Sequence, residues 1–204
     1  MHPFSKATAA LTLLLSLLGG SASAAPLLNQ TDLFTANVDG YASYRIACLV
    51  VTPQGTLLAF CEARKTHGDW AAIDILLRRS ADGGQNWSRP QMVSQLVGPY
   101  QRNPVAPKRR DGQPEQPTFN NPVAIVDGQG AVHLLYCLDY ARAFYTRSDD
   151  QGITFAPPRE ITATFEAFRP EYDWKVLAVG PGHGIQLRSG RLLVTAWLST
   201  AQGS

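Results

Sequence analysis

Beyond its first two dozen residues the chain runs in short apolar stretches cut apart by clusters of Gly, Pro, Asp and Asn. Almost no segment keeps a helical period long enough to fill three turns. This pattern predicts an all-β fold. Residues 46–51 and 56–61 flank Thr52-Pro53-Gln54-Gly55, and residues 123–126 and 132–137 flank Asp127-Gly128-Gln129-Gly130. Residues 185–187 and 192–197 flank Arg188-Ser189-Gly190-Arg191. Each is a predicted hairpin in which Gly supplies the turn conformation that a side chain would resist.

After each of the first two hairpins comes a third strand and then the same turn. It reads Ser80-Ala81-Asp82-Gly83-Gly84-Gln85-Asn86-Trp87 in one place and Ser148-Asp149-Asp150-Gln151-Gly152-Ile153-Thr154-Phe155 in the other. In S-x-D-x-G-x-x-[WF] the aspartate is placed to accept backbone N–H groups within the turn. The glycine takes a left-handed conformation and the aromatic ring packs beneath the hairpin. The two turns start 68 residues apart, at Ser80 and Ser148, so a four-stranded unit repeats, and such units stack radially into propellers. A third turn at that interval would fall beyond Ser204, so the chain is expected to be an N-terminal fragment holding about two and a half blades.

Composition narrows the class. Residues 1–24 join a short region containing Lys6 to an apolar stretch and end in Ala22-Ser23-Ala24, which reads as a secretory signal peptide and predicts a secreted or periplasmic protein over residues 25–204. Charge is nearly balanced, 18 Lys and Arg against 16 Asp and Glu, which argues against nucleic acid or a membrane surface as the main partner. Lys108-Arg109-Arg110, the one basic cluster, belongs to a Pro-, Gly- and Gln-rich stretch over 98–117 and reads as a solvated loop. Cys48, Cys61 and Cys137 lie in strand-like runs, where they are either buried thiols or, for the first two, a disulfide. No Cys/His spacing points to a metal, and no cofactor is expected.

The polar residues at the strand ends carry the chemistry. Arg45, in Tyr44-Arg45-Ile46, is placed to face the propeller axis, and its planar, permanently charged fork suits a carboxylate. Further on, Glu62-Ala63-Arg64 closes a strand and Lys65-Thr66-His67-Gly68-Asp69-Trp70 follows as a loop. Asp69, beside Gly68 and an aromatic ring, is a candidate general acid that partial desolvation would hold protonated. Asp74, the rival carboxylate, lies within the next strand and reads as a packing residue.

In this order (Arg45, then Arg64 with Asp69, then two S-x-D-x-G-x-x-[WF] turns) the chain resembles the exo-α-sialidases. The turns are similar to the Asp boxes of these six-bladed, bacterial-neuraminidase-repeat propellers. Tyr44-Arg45-Ile46 resembles the family's Arg-Ile-Pro motif, with Ala47 in place of the usual proline. The resemblance implies retaining hydrolysis of a terminal α-ketosidic bond in sialylated glycans. Arg45 would grip the sialic acid carboxylate, Arg64 would contact the sugar ring, and Asp69 would act as acid and then base. It also implies that Asn121, His183 and Trp197 line the substrate pocket, with Tyr140 and Arg142 near its mouth. A Tyr–Glu nucleophile and two further arginines would belong to later blades, so the fragment alone is expected to be inactive. The alternative is a non-catalytic propeller of the same lineage that binds glycans or a protein partner, with Arg45 kept as an anion contact.

Overall fold

The computed structural model describes residues 28–108 and 116–201. The chain divides into Met1–Thr31 and Asp32–Ser204, and all that follows concerns the second unit. The proposed leader and Arg109-Arg110 lie outside the described residues. Among the described residues no helix is long and apolar enough to cross a membrane.

The first sheet is antiparallel in the order β1 (Ser43–Val51), β2 (Leu57–Arg64), β3 (Ile73–Ser80) and β4 (Gln91–Met92). The second repeats it with β5 (Phe119–Val126), β6 (Val132–Leu138), β7 (Arg142–Ser148) and β8 (Arg159–Glu160). These are the two predicted blades. They pack face to face through apolar residues at alternate positions of β2, β3 and β6. Leu58, Phe60, Ile75 and Leu77 of the first meet Val132, Leu134, Tyr136 and Phe144 of the second in one buried cluster.

Both repeated turns have the predicted geometry. In the first, Asp82 Oδ1 accepts the Asn86 N–H at 2.9 Å, Gly84 has φ +89°, and the Trp87 indole N–H donates to the Gly84 carbonyl at 3.0 Å. In the second, Asp150 Oδ1 accepts the Thr154 N–H at 2.9 Å, Gly152 has φ +76°, and Phe155 packs edge-on against Phe60. Asp74 accepts the Tyr41 hydroxyl at 2.8 Å, a packing contact within the first blade. Cys48, Cys61 and Cys137 are buried free thiols, so the Cys48–Cys61 bridge does not form.

The third unit departs from the expected hairpin. After a single helical turn, α1 (Ala163–Glu166), the inner strand begins at β9 (Val176–Val179) and resumes at β10 (Ile185–Gln186). Its partner strand is split likewise: β11 (Leu192–Leu193) pairs with β10, and β12 (Ala196–Ser199) pairs with β9. The run 192–197 is therefore two strand segments, and Gly180-Pro181-Gly182-His183-Gly184 interrupts the inner strand instead of opening it. The glycines there serve close approach, as expected, but to the second blade. A Cβ on Gly184 would lie 2.3 Å from Ile125 Cδ1, and one on Gly180 would lie 2.6 Å from Val123 Cγ2.

Candidate active site

The inner strand β1 carries a one-residue bulge between Arg45 and Cys48, and Ile46 there has φ +53°. A left-handed conformation is strained for a β-branched residue, and bulges of this kind re-aim side chains. Here the bulge sets Arg45 at the exposed end of the blade, directly across the ladder from Glu62.

Four charged groups then form a chain. Glu62 is fully buried, and its Oε2 accepts Arg64 Nε at 2.8 Å and Nη2 at 2.5 Å. Glu62 Oε1 accepts the backbone N–H of Asn121 at 2.7 Å, which ties the pair to the second blade. Arg64 Nη1 donates to Asp69 Oδ1 at 2.6 Å, and Arg45 Nη1 reaches the same oxygen at 3.3 Å. Burial pushes the Glu62 carboxyl up from its ordinary value, while the Asn121 N–H and Arg64 pull it back. Burial opposes the charge on Arg64, but Glu62 and Asp69 outweigh it and hold the guanidinium charged. The gradient of exposure runs outward: Arg64 is 1% exposed, Arg45 54% and Asp69 60%.

Beside Asp69 opens a cleft of about 520 Å³ lined by Trp70, Val105, Pro107, Tyr140, Val176, Trp197 and residues 199–201. The Tyr140 ring lies 4.8 Å from that of Trp70 and 6.4 Å from that of Trp197, centroid to centroid. Burial pushes the Tyr140 phenol up to about 12, so it remains a neutral donor. Among the described residues no group of three His, Cys, Asp or Glu side chains converges on a metal position.

Arg45, Arg64, Asp69 and Trp197 are thus brought together, with Tyr140 beside them. Arg64 is 1% exposed, with its fork on Glu62 and Asp69. The remaining expected residues are placed as follows. Asn121 is buried at the matching bulge of β5, with its backbone N–H committed to Glu62. His183 is exposed and outside the cleft. Arg142 pairs with Glu160 at 2.7 Å and donates to the Val97 and Pro99 carbonyls, so it fastens a connecting loop. Asp69 is exposed, so the partial burial expected of it from sequence is not found among the described residues. Glu62 and Val105 were not singled out from sequence; an acid flanked by Cys61 and Ala63 within an apolar strand was the available signal for the first.

No protein-family model matches the chain. Human sialidase-3 is 33% identical over 180 residues, covering 82% of this chain and 40% of that protein. The sialidase of Micromonospora viridifaciens is 30% identical over 205 residues, 88% of this chain and 29% of that protein. The chain is a sialidase homologue. It spans well under half the length of these sialidases. Their fold is also its own: the structure of a leech intramolecular trans-sialidase superposes with a TM-score of 0.63 over 85% of this chain and 43% of that one, at 18% identity. The sialidase propeller thereby accounts for the two complete blades and for the partial third.

Proposed function

We propose that the protein carrying this chain is an exo-α-sialidase, secreted or periplasmic, that acts on sialylated glycans, with Arg45 holding the sugar carboxylate and Asp69 protonating the glycosidic oxygen. The supporting observation is that Arg45 and Asp69, distant in sequence, share one exposed position 3.3 Å apart while buried Arg64 fixes the carboxylate between them. A substrate carboxylate would draw Arg45 away from Asp69. The leech enzyme of the same fold was solved in complex with 2,7-anhydro-Neu5Ac, prepared by soaking with 3'-sialyllactose, which supports the substrate class. The Tyr–Glu nucleophile and two further arginines of the carboxylate clamp, which the family resemblance implies, are assigned to no residue of this chain. The leader over 1–24 supports the extracytoplasmic part of the reading, and the likeness of the repeated turns to Asp boxes supports the sialidase part.

The test compares the full-length protein with its Asp69→Ala and Arg45→Ala variants on an aryl and a natural sialoside. An aryl leaving group needs little protonation. Asp69→Ala is expected to lower kcat/KM on the natural substrate by about 10²–10⁴-fold and on the aryl one far less. Arg45→Ala is expected to lower both by about 10–100-fold, the loss of one charge-assisted contact. Equal losses on both substrates for Asp69→Ala would remove it as the acid. A wild type that binds sialylated glycans and cleaves neither substrate would leave a binding module.

A further inference from the structure

Asp69 belongs to the loop over 65–72, which leaves β2 at Arg64 and enters β3 at Ile73. Thr66, His67, Gly68 and Asp69 are all exposed, so the aim of the carboxyl depends on where the loop is fastened. Arg64 Nη1 reaches it at the His67 carbonyl, 3.5 Å, and at Asp69 Oδ1, 2.6 Å. Two backbone bonds lie within it: the Lys65 N–H donates to the Ala72 carbonyl at 2.9 Å and the Ala71 N–H to the Gly68 carbonyl at 3.3 Å. A further fastening comes from the other blade. The Thr118 hydroxyl donates to the Ala71 carbonyl at 2.6 Å, and the Ile73 N–H donates to the Pro117 carbonyl at 3.2 Å. The residues leading into β5 therefore run parallel to the end of the loop.

Thr118 is fully buried, and its backbone polar groups go to the turn between β6 and β7. Its N–H donates to Asp139 Oδ1 at 3.1 Å, and its carbonyl accepts the Asp139 N–H at 2.8 Å. Asp139 and Tyr140 both stand in the left-handed region, at φ +50° and +48°, which residues other than glycine keep only where their surroundings enforce it. The Tyr140 ring then meets that of Trp70, the residue between Asp69 and Ala71, at 4.8 Å. One buried residue thus joins the loop that carries Asp69 to the turn that carries Tyr140. The form of a carboxyl that donates is the neutral one, and a neutral carboxyl holds a guanidinium less firmly than a carboxylate does. The grip of Arg64 and Arg45 on Asp69 is therefore weakest in the form that reacts, and the loop backbone has to supply the aim.

We infer that Thr118 is a positioning residue for the acid: from the second blade, its hydroxyl fixes the loop that presents Asp69 to the glycosidic oxygen. The inference rests on the sialidase reading above. A misplacement of about 1 Å costs a reaction about 100-fold, and the loop keeps its other fastenings, so a loss of about tenfold is expected without the hydroxyl.

The experiment measures kcat/KM of the full-length protein on a natural and an aryl sialoside, with Asp69→Ala alongside, and takes the ratio of natural to aryl. Thr118→Val keeps the shape and removes the hydroxyl. It is expected to lower the natural rate about tenfold and the aryl rate less than about twofold, because only the natural leaving group needs the acid. Thr118→Ser keeps the hydroxyl and should restore the wild-type ratio. Added to Asp69→Ala, Thr118→Val should move the ratio no further, since no acid is left to aim. A merely structural loss would lower both rates alike and leave the ratio intact. That result, a Thr118→Ser protein that behaves as Thr118→Val does, or independent losses in the double variant overturns the inference. If Thr118→Val does not fold, Thr118→Ala removes the same hydroxyl without overpacking, and the same ratio decides. Where Asp69→Ala lowers the ratio and the Thr118 variants do not, only this inference falls. Where Asp69→Ala leaves the ratio unchanged, or the wild type cleaves neither substrate, the sialidase reading falls and takes this inference with it.

Discussion

The two complete blades share one backbone and put different residues on it. In each, the inner strand slips by one residue at the same place, between Arg45 and Cys48 in β1 and between Asn120 and Val123 in β5, with a left-handed residue inside the slip. Across the ladder from Arg45 stands Glu62, and across from Asn120 stands Cys137. Two residues on, Arg64 of the first blade matches Asp139 of the second. The second blade uses these positions to hold its neighbours: Cys137 Sγ accepts the Val179 N–H at 3.3 Å, and Asp139 Oδ1 accepts the Thr118 N–H at 3.1 Å. The first blade uses them to carry charge outward from Glu62 to Asp69. A repeated scaffold thus separates the geometry of a site from its chemistry, and only the chemistry distinguishes the blades.

The largest expected effect tests that separation. Glu62→Ala leaves Arg64 buried beside an exposed carboxylate alone, and should destabilise the full-length protein by about 3–5 kcal/mol in urea unfolding. Cys137→Ala removes a small buried side chain and one weak acceptor, and is expected to lose only about 1–2 kcal/mol. Replacing both members of the pair, Glu62→Leu with Arg64→Met, should recover most of the stability, because an apolar pair of similar volume avoids the desolvation that two charges require. It should not recover activity, since Asp69 then has no anchor. A Glu62→Ala protein as stable as Cys137→Ala would erase the proposed difference between the blades.

Much of this was legible in the sequence and some was not, for physical reasons. Alternation, glycine turns and the aspartate turns are local, so the first two blades were read strand by strand. Arg64 and Asp69 are five residues apart, so their order along the chain marks both as candidates, while the ion pair between them is seen only in the structure. Glu62 depends on the Asn121 N–H, a partner 59 residues away, and no local pattern announces it. The third unit departs from its sequence pattern because its strands are interrupted: the contiguous run at 192–197 pairs with two different segments on either side of the break at 180–184. His183 stands exposed outside the cleft for a related reason. Its flanking glycines do mark a close approach, yet what approaches is the backbone at Gly184 against Ile125. Thr118 follows a Pro- and Gly-rich stretch whose composition says only loop.

A smaller effect separates the two repeated turns. The Asn86 backbone N–H and side-chain amide, with the Ser80 hydroxyl, hold the Asp82 carboxyl down to about 2. At Asp150 partial burial works the other way, but the Thr154 hydroxyl and N–H outweigh it and the carboxyl is again held down to about 2. A carboxyl lowered by folding adds stability above its unfolded value near 4, and that stability is lost as the pH falls toward 2. The melting temperature of Asp150→Asn should therefore lie below wild type at pH 6, with the gap closing by pH 2. The gap should be smaller for Asp82→Asn. The second turn also docks on the first blade, where Thr56 and Arg79 donate to the Gln151 side-chain and backbone oxygens at 2.6 and 2.8 Å. Equal gaps would mean that docking adds nothing to the turn.

The smallest effect lies in the slips themselves. Ile46 has φ +53° and Asn121 φ +56°, but the conformation is far more strained for the β-branched residue than for asparagine, which visits it routinely. Ile46→Gly should therefore change stability by less than about 1 kcal/mol, relief of strain offsetting the added freedom of the unfolded chain and the lost side chain. Asn121→Gly has no comparable strain to relieve and should be the more destabilising of the two. What Ile46→Gly should alter is Arg45: a strand free to leave the left-handed conformation holds the guanidinium less firmly, so KM for a sialoside should rise a few-fold with kcat nearly unchanged. A rise in KM without loss of stability would locate the use of the strain in aiming Arg45. A loss of stability with KM unchanged would show instead that Ile46 serves the blade and leaves the site untouched.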